Sequence, residues 1–257
     1  MTLRRSFKSL NMIPKKIHYC WFGKGEKSKL INKCIESWKK FLPEYEIKEW
    51  NESNFDLEEF SYAKQAYENR KFAFVSDVVR LYALKSEGGI YLDTDVEFIK
   101  PLTEDILSQI AFSGFEDNNN VPTGIMGSVK NSEWISDLLE DYYERSFVSE
   151  NGEIDTTTNV FFTTELMKQI DGFTLNNTFQ IIPNYCTLYP SDYFCPKSWE
   201  TLEINLTDNT YCIHHFAGSW KPEPVYSFGY KIANALLGRR NAKIAFDKYQ
   251  NFKKIFR

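Results

Sequence analysis

The stretch at residues 72–98 constrains the fold more than any other part of the chain. Ser76 is a good candidate for a helix N-cap, and apolar residues recur at helical spacing up to a glycine pair at 88–89. This pattern predicts a helix over about 77–87, because paired glycines adopt the positive φ angles that stop helices. The apolar triplet at 90–92 then predicts a short buried strand.

The N-terminal part of the chain also carries strand and helix patterns in succession. Apolar residues predict a first core strand at 13–23, which ends in a glycine-bearing loop. Residues 30–41 carry a helical stripe that Pro43 stops, and residues 45–50 alternate as a strand. A strand, a helix and a strand in succession begin a βαβ unit, so the sequence predicts an α/β sheet covered by helices.

Composition fits a folded domain of enzyme size. The 257 residues are 42% apolar and 26% charged, which excludes the disordered and collagen-like classes. No apolar run approaches the roughly 20 residues that span a bilayer, and residues 1–14 lack the apolar region of a signal peptide. The absence of repeats and linkers favours one catalytic domain at 1–230, in a cytoplasmic protein.

The five cysteines also favour a cytoplasmic protein. They are odd in number, widely spaced and without a C-x-x-C pair, which excludes the common zinc and redox motifs. We therefore expect reduced thiols that pack as small apolar groups and form no disulfide.

The segment 231–257 differs in charge from the rest of the chain. It contains eight lysines and arginines and one acid, a net of +7, which leaves −11 for residues 1–230 out of the chain total of −4. An acidic body argues against nucleic-acid binding. The basic segment, with its interleaved apolar residues, predicts an amphipathic helical tail in peripheral contact with the inner face of the cell membrane, and a solvated closing helix is the alternative.

Asp93 and Asp95 stand one residue apart at the end of the predicted strand. Residues i and i+2 of a strand point the same way, so both carboxylates would lie where open α/β sheets bind ligands. This concentration of charge calls for a cation, and oxygen ligands select hard ions such as Mg²⁺ or Mn²⁺, which can bridge a diphosphate. A solvated strand end is the alternative.

Two further groups of residues give this motif its context. Asp77 and Arg80 lie three apart on the predicted helix and share a face, where they suit an oxygen-rich ligand such as a sugar, or form a local ion pair. Residues 214–222 contain two of the three histidines with a glycine, a tryptophan and a lysine. Imidazole can complete a Mn²⁺ coordination shell, whereas a pair of core or surface histidines is the alternative.

Together these pieces resemble the glycosyltransferases that carry the DXD sugar-binding motif, which include bacterial capsular-polysaccharide transferases, Golgi initiating mannosyltransferases and, more distantly, the large glucosylating toxins. The matching segments are residues 17–23, 76–80, 88–95 and 215–220. The resemblance implies a GT-A type, Rossmann-like nucleotide-sugar domain with a mixed central sheet flanked by helices, which performs retaining transfer with a divalent metal, usually Mn²⁺.

The resemblance also implies roles for single residues at the donor. Trp21 would stack on the nucleobase, Asp77 and Arg80 would hold the donor sugar, and Asp93 would contact the ribose and the metal. The diphosphate side would be contacted by Ser219, Trp220 and Lys221.

The implied metal ligands are Asp93, Asp95 and His215, with His214 as the fallback, and the catalytic residues would be Asp77, Arg80 and Asp95. The serine ligand of the toxins is replaced by Gly218, which departs from their pattern. The acceptor and sugar pocket would involve residues 118–126 and 156–164, with Asn159 as a candidate.

The function that this implies is transfer of a hexose-type sugar from a nucleotide-diphosphate sugar, with UDP favoured, to a glycan or lipid-linked oligosaccharide in surface-polysaccharide or capsule synthesis. Two alternatives stay open. One is an aspartyl-phosphate phosphohydrolase with Asp93 as nucleophile and Asp95 as acid/base, although its later motifs are not found. The other is a non-catalytic nucleotide-sugar-binding protein.

Overall fold

The computed structural model describes residues 12–199 and 201–218. The predictions for Ser219, Trp220, Lys221 and the tail at 231–257 lie outside these residues. The strands are β1 Lys16–Cys20, β2 Glu46–Trp50, β3 Gly89–Leu92, β4 Val96–Phe98, β5 Ala111–Gly114, β6 Ile125–Ser128, β7 Gln180–Ile182, β8 Cys186–Tyr189 and β9 Cys212–His214. The α-helices are α1 Lys29–Phe41, α2 Ser61–Glu68, α3 Phe72–Glu87, α4 Glu104–Leu107, α5 Glu133–Glu144, α6 Asn159–Met167 and α7 Ser191–Phe194, and a 3₁₀ turn spans Leu57–Glu59.

Seven of these strands form the central sheet in the order β2-β1-β3-β6-β5-β8-β7. β1 is parallel to β2 and β3, β6 is antiparallel to β3 and β5, β8 is parallel to β5, and β7 is antiparallel to β8. The sheet is therefore mixed, and its helices pack against it. This confirms the predicted α/β fold with a mixed central sheet flanked by helices.

The core lies on both faces of this sheet, as the alternation along β3 shows. Tyr91 belongs to one apolar cluster, which includes α3 and α5, while Ile90 and Leu92 belong to a second cluster, which includes Trp38 of α1. Every residue of β3 is buried because both faces of the sheet are covered by packed elements.

The first three elements agree with the sequence in type and order. Helix α1 begins one residue before the predicted start, and the Ser28 side chain caps it by accepting a hydrogen bond from the Ile31 N–H. β1 is shorter than predicted, since its ladder ends at Cys20, and Trp21 begins the following loop.

The helix α3 is longer than the sequence predicted, and Ser76 as its N-cap is wrong. It begins at Phe72, so Ser76 lies inside it and donates its hydroxyl hydrogen bond to the Phe72 carbonyl (3.1 Å). The early start buries Phe74 and Val75 in the core. The end is as predicted: Gly88 has φ +66°, and a Cβ atom there would lie 2.7 Å from the Lys130 backbone nitrogen.

The direction of the strands locates a candidate site. β1, β3, β5 and β8 all run the same way, so their carboxyl ends share one edge of the sheet. A separate two-stranded ribbon, in which β4 pairs with β9 and Val96 lies opposite His214, lies just beyond the end of β3. The ribbon brings the end of β9 to the DXD motif.

Two further findings concern the chain as a whole. Among the helices of 12–199 and 201–218, none has the length and apolar character that crossing a membrane requires. All five cysteines lie in these ranges, and each is a buried free thiol.

Candidate active site

The DXD motif forms a turn between β3 and β4. The Asp93 backbone N–H donates to the Gly124 carbonyl (2.8 Å), and the Asp93 carbonyl accepts from the Val96 N–H (3.0 Å). The sequence predicted that the two acids converge through strand alternation, but in the structure they converge through a turn that follows β3. The end of β9 reaches the same place because it pairs with β4.

Asp93, Asp95 and His214 form the centre of the site. The His214 Nε2 lies 3.3 Å from Asp95 Oδ1 and 4.0 Å from Asp93 Oδ2. One ligand atom from each residue lies within 4.8 Å of the others, close enough for a shared cation. The backbone N–H of Ala217 donates to Asp95 Oδ2 (2.7 Å), which fixes that carboxylate.

His214 and Asp95 form a partly buried ion pair. Burial alone would raise the pKa of Asp95, but His214 lowers it to about 2. Burial alone would lower the pKa of His214, but the Asp95 carboxylate raises it well above 6.5. Two carboxylates and one imidazole are a donor set that suits Mn²⁺, and Mg²⁺ less well because it prefers oxygen ligands alone.

His215, which the resemblance implies as the third metal ligand, does not face the two aspartates in the structure. Its Nε2 lies 2.8 Å from Glu97 Oε2, while its backbone N–H donates to the Asp95 carbonyl (3.0 Å). Successive residues of an extended chain point to opposite sides, so only one of the two histidines can meet the carboxylates. The structure places His214, the fallback of the sequence analysis, in that position.

Asp77 and Arg80 lie beside this centre on α3. The Arg80 Nη2 is 2.9 Å from Asp77 Oδ1 and 3.4 Å from Asp93 Oδ1, and the side chains of Asp77 and Arg80 are buried. Burial raises the pKa of Asp77 to about 7, and Asp93 adds to this effect against the opposing charge of Arg80. Arg80 thus joins the predicted sugar-binding pair to the DXD motif.

Thr123 and Asn159 complete this network. Arg80 Nη1 donates to both the carbonyl and the hydroxyl of Thr123 (2.8 Å each). The Asn159 side-chain amide, at the first residue of α6, donates to Asp77 Oδ1 (2.7 Å) and to the Thr123 hydroxyl (2.6 Å). Asn159 was a candidate from the sequence alone, whereas nothing in the sequence marked Thr123 beyond its position in 118–126.

Gly124 was missed by the sequence analysis. A Cβ atom at this position would lie 3.1 Å from His214 Nδ1 and 3.2 Å from Asp93 Oδ2. A glycine just before a strand that neighbours the DXD strand is the signal that could have found it. Only glycine lets the backbone approach this closely without displacing a neighbour.

Trp21 lies on the same edge of the sheet, immediately after β1. Its backbone N–H donates to the Trp50 carbonyl (2.9 Å) and its indole N–H to the Gly25 carbonyl (2.7 Å). The Lys27 ammonium lies 5.3 Å from the ring centroid, and the side chain is half-buried. These contacts fix the indole at the edge where the Asp93 turn also lies.

Comparison with known proteins gives the site a family context. Residues 28–113 match the family model described as a glycosyltransferase sugar-binding region containing a DXD motif. The matched part holds Asp77, Arg80, Asp93 and Asp95, and His214 lies beyond it.

Similar proteins include the Subversion of eukaryotic traffic protein A of Legionella pneumophila, 26% identical over 168 residues, which are 53% of this chain and 26% of that protein. The chain thus spans about a quarter of the length of this relative. Similar solved structures include the PaToxG glycosyltransferase (24% identity, 51% of this chain, 60% of that chain, TM-score 0.43). Another is a glycosyltransferase involved in glycosylation of the major capsid of PBCV-1 (15% identity, 68% of this chain, 82% of that chain, TM-score 0.37). The family match at residues 28–113 confirms that this chain resembles the glycosyltransferases with a DXD sugar-binding region.

Proposed function

We propose that the chain is a metal-dependent glycosyltransferase that moves a hexose-type sugar from a nucleoside-diphosphate sugar to an acceptor hydroxyl. The observation that carries this proposal is the convergence of Asp93, Asp95 and His214 at the carboxyl edge of the sheet, next to the buried Asp77–Arg80 pair. The two aspartates and this pair also lie in the segment that matches the DXD family. A UDP-sugar is the favoured donor.

The metal site would be made by Asp93, Asp95 and His214, and Mn²⁺ fits its mixed oxygen and nitrogen donors. Bound there, the ion would neutralise the charge that develops on the leaving diphosphate. The Ala217 N–H and the DXD turn already hold Asp95 in place for an ion. Because Asp95 raises the pKa of His214, the imidazole would release its proton as the ion binds.

Asp77 would hold hydroxyl groups of the donor sugar, as the family resemblance implies. Arg80 is engaged by protein groups on several sides, namely Asp77, Asp93 and Thr123. We therefore assign it the role of fixing the two carboxylates relative to each other. Trp21 would stack on the nucleobase, and Ser219, Trp220 and Lys221 are retained as proposed diphosphate contacts.

The family resemblance implies retaining transfer, and we propose it for this chain. The acceptor hydroxyl would attack from the face that the nucleoside diphosphate leaves, and the leaving phosphate would take the proton. Such a mechanism depends on positioning of two substrates, which can lower a barrier by about 7–11 kcal/mol when orientation is complete.

The phosphohydrolase alternative fits the geometry less well. Asp93 Oδ1 accepts a hydrogen bond from the Tyr91 hydroxyl (3.0 Å) and lies 3.4 Å from the Arg80 guanidinium. A carboxylate engaged in this way is a weak nucleophile, whereas the same contacts suit a metal ligand that must keep its orientation.

The acceptor and the location are proposed from the resemblance and the charge pattern. A glycan or lipid-linked oligosaccharide of a surface polysaccharide would be the acceptor, with the basic segment 231–257 in contact with the inner membrane face. Deletion of 231–257 should leave donor hydrolysis intact and lower binding to anionic liposomes, and unchanged liposome binding would contradict the membrane proposal.

The proposed function is tested by a panel of UDP- and GDP-sugars with and without Mn²⁺, read as thermal stabilisation and as release of the nucleoside diphosphate. We expect one donor to stabilise the wild type only with metal. In Asp95→Asn, release should fall by about 10²–10³-fold, the range for loss of one electrostatic contact to developing charge.

The matched control is Glu44→Gln, an exposed carboxylate that pairs with Lys15. It should behave as the wild type. Absence of nucleotide-sugar binding in the wild type, or full activity in Asp95→Asn, would contradict the proposed function.

A further inference from the structure

A second histidine–carboxylate pair lies at the β4–β9 ribbon, and its histidine is next in sequence to His214 of the candidate metal site. His215 and Glu97 are 2.8 Å apart, and each side chain is only 16% exposed. The Lys33 ammonium of α1 lies 2.8 Å from the Glu97 carboxylate. We refer to Lys33, Glu97 and His215 as the Glu97 clamp, which the proposed mechanism does not use.

The clamp is joined to the metal site through the backbone of His215. The His215 N–H donates to the Asp95 carbonyl (3.0 Å), and the His215 carbonyl accepts from the Lys197 ammonium (2.7 Å). Two residues on, the Ala217 N–H donates to Asp95 Oδ2 (2.7 Å). His215 therefore lies between the residue that would ligate metal, His214, and the backbone group that orients Asp95.

The β4–β9 ribbon is too short to hold residues 215–217 in place by itself. β4 and β9 share three residue pairs, and the ladder ends at Val96 opposite His214. Beyond that pair, the chain at 215–217 is tied to the DXD turn by the two bonds to Asp95 and by the His215–Glu97 contact. Since short ribbons fray at their ends, a side-chain tie at this point has a direct effect on where His214 lies.

We infer that Glu97 and His215 are positioning residues for the metal centre, which hold residues 214–217 so that the His214 imidazole and the Ala217 N–H both meet Asp95. This inference rests on the proposed function, because it assumes that Asp93, Asp95 and His214 bind the metal. Groups that orient metal ligands from outside the coordination shell typically change metal affinity by 10–100-fold when removed. Glu97 is such a group at one remove, because it contacts His215 and would act on the ligands through the backbone of residues 214–217.

The test is the binding of Mn²⁺ to the purified full chain without donor, measured as loss of the free-ion electron paramagnetic resonance signal. We expect Glu97→Ala and His215→Ala to raise the Kd for Mn²⁺ by about 10-fold or more. Glu97→Gln keeps the shape and an acceptor oxygen, so it should restore part of the affinity. The control is Glu36→Gln on α1, an exposed carboxylate that pairs with Lys39.

The outcomes separate this inference from the proposed function. If the wild type binds Mn²⁺ and the folded Glu97 and His215 variants bind it equally well, the clamp is merely structural and the inference is overturned. If the wild type binds no Mn²⁺, the proposed metal site fails and the inference fails with it. Urea unfolding of each variant shows whether it is folded. If an alanine variant is not folded, Glu97→Gln replaces it in the comparison of Mn²⁺ affinity with the wild type.

Discussion

Two charged clusters lie at opposite ends of the same strands, and they differ in how their charges are balanced. At the amino end of β1 and β3, the Glu87 cluster joins Glu87 to Lys16 (2.8 Å) and Lys48 (2.5 Å), with Glu46 3.8 Å from Lys16. At the carboxyl end, the Asp93 cluster holds three carboxylates against one guanidinium and one imidazole. The members of the Asp93 cluster are Asp77, Arg80, Asp93, Asp95 and His214.

The pKa values of Glu87 and Asp77, one carboxylate from each cluster, move in opposite directions. Burial alone would raise the pKa of Glu87, but hydrogen bonds from two lysines lower it to about 2. Burial raises the pKa of Asp77 to about 7 even though Arg80 is adjacent. A balanced cluster stabilises the fold by itself, whereas an unbalanced, buried one calls for a ligand of positive charge. This difference supports the proposal that the Asp93 cluster is the functional site.

The largest expected effect comes from removing the buried cation of the Asp93 cluster. Arg80→Met leaves Asp77 and Asp93 without their shared partner, so we expect the free energy of unfolding to fall by about 3–5 kcal/mol. Urea unfolding measures it, with Lys64→Met, an exposed partner of Glu58, as the control. A loss below about 1 kcal/mol would show that the guanidinium does not balance these carboxylates.

A smaller effect is expected where the backbone approaches the cluster. In Gly124→Ala, the new Cβ would press on His214 and Asp93, so the Kd for Mn²⁺ should rise about tenfold, or about 1.4 kcal/mol. The unfolding midpoint in urea should change little. The control is Gly25→Ala, because a Cβ there meets no atom within 4 Å. Equal Mn²⁺ affinity in the two variants would place the ion elsewhere.

The smallest effect concerns the balanced cluster. Glu87→Gln should lower the free energy of unfolding by about 1 kcal/mol at neutral pH, since partly exposed ion pairs are screened. The folded pKa of Glu87 is below its ordinary value of 4.5, so its contribution is present above that pH and is lost as pH falls towards about 2. Urea unfolding between pH 7 and pH 3 measures the difference between wild type and variant. A difference that does not shrink on acidification would contradict this assignment.

The sequence predicted the elements around the DXD motif because their signals are local. The helical stripe of α1, the glycine stop after α3 and the apolar triplet before Asp93 each need only neighbouring residues to be recognised. The start of α3 was missed because core packing of Phe74 outweighed the capping signal of Ser76.

The site was predicted less completely because its geometry is set by distant pairings. Which histidine meets Asp95 is decided by the register of β9 on β4, and the sequence of β9 alone does not contain that information. Thr123 enters the site only because Arg80 reaches it across 43 positions of the chain. The order of strands beyond β3 also depends on such long-range contacts.

We propose that the Asp93 cluster holds the metal through Asp93, Asp95 and His214. Pulsed electron paramagnetic resonance of bound Mn²⁺ tests it most directly, because a nitrogen ligand modulates the electron-spin echo. We expect nitrogen modulation in the wild type that is lost in His214→Gln and kept in His215→Gln. Modulation that is lost only in His215→Gln, or that is absent from the Mn²⁺-loaded wild type, would contradict it.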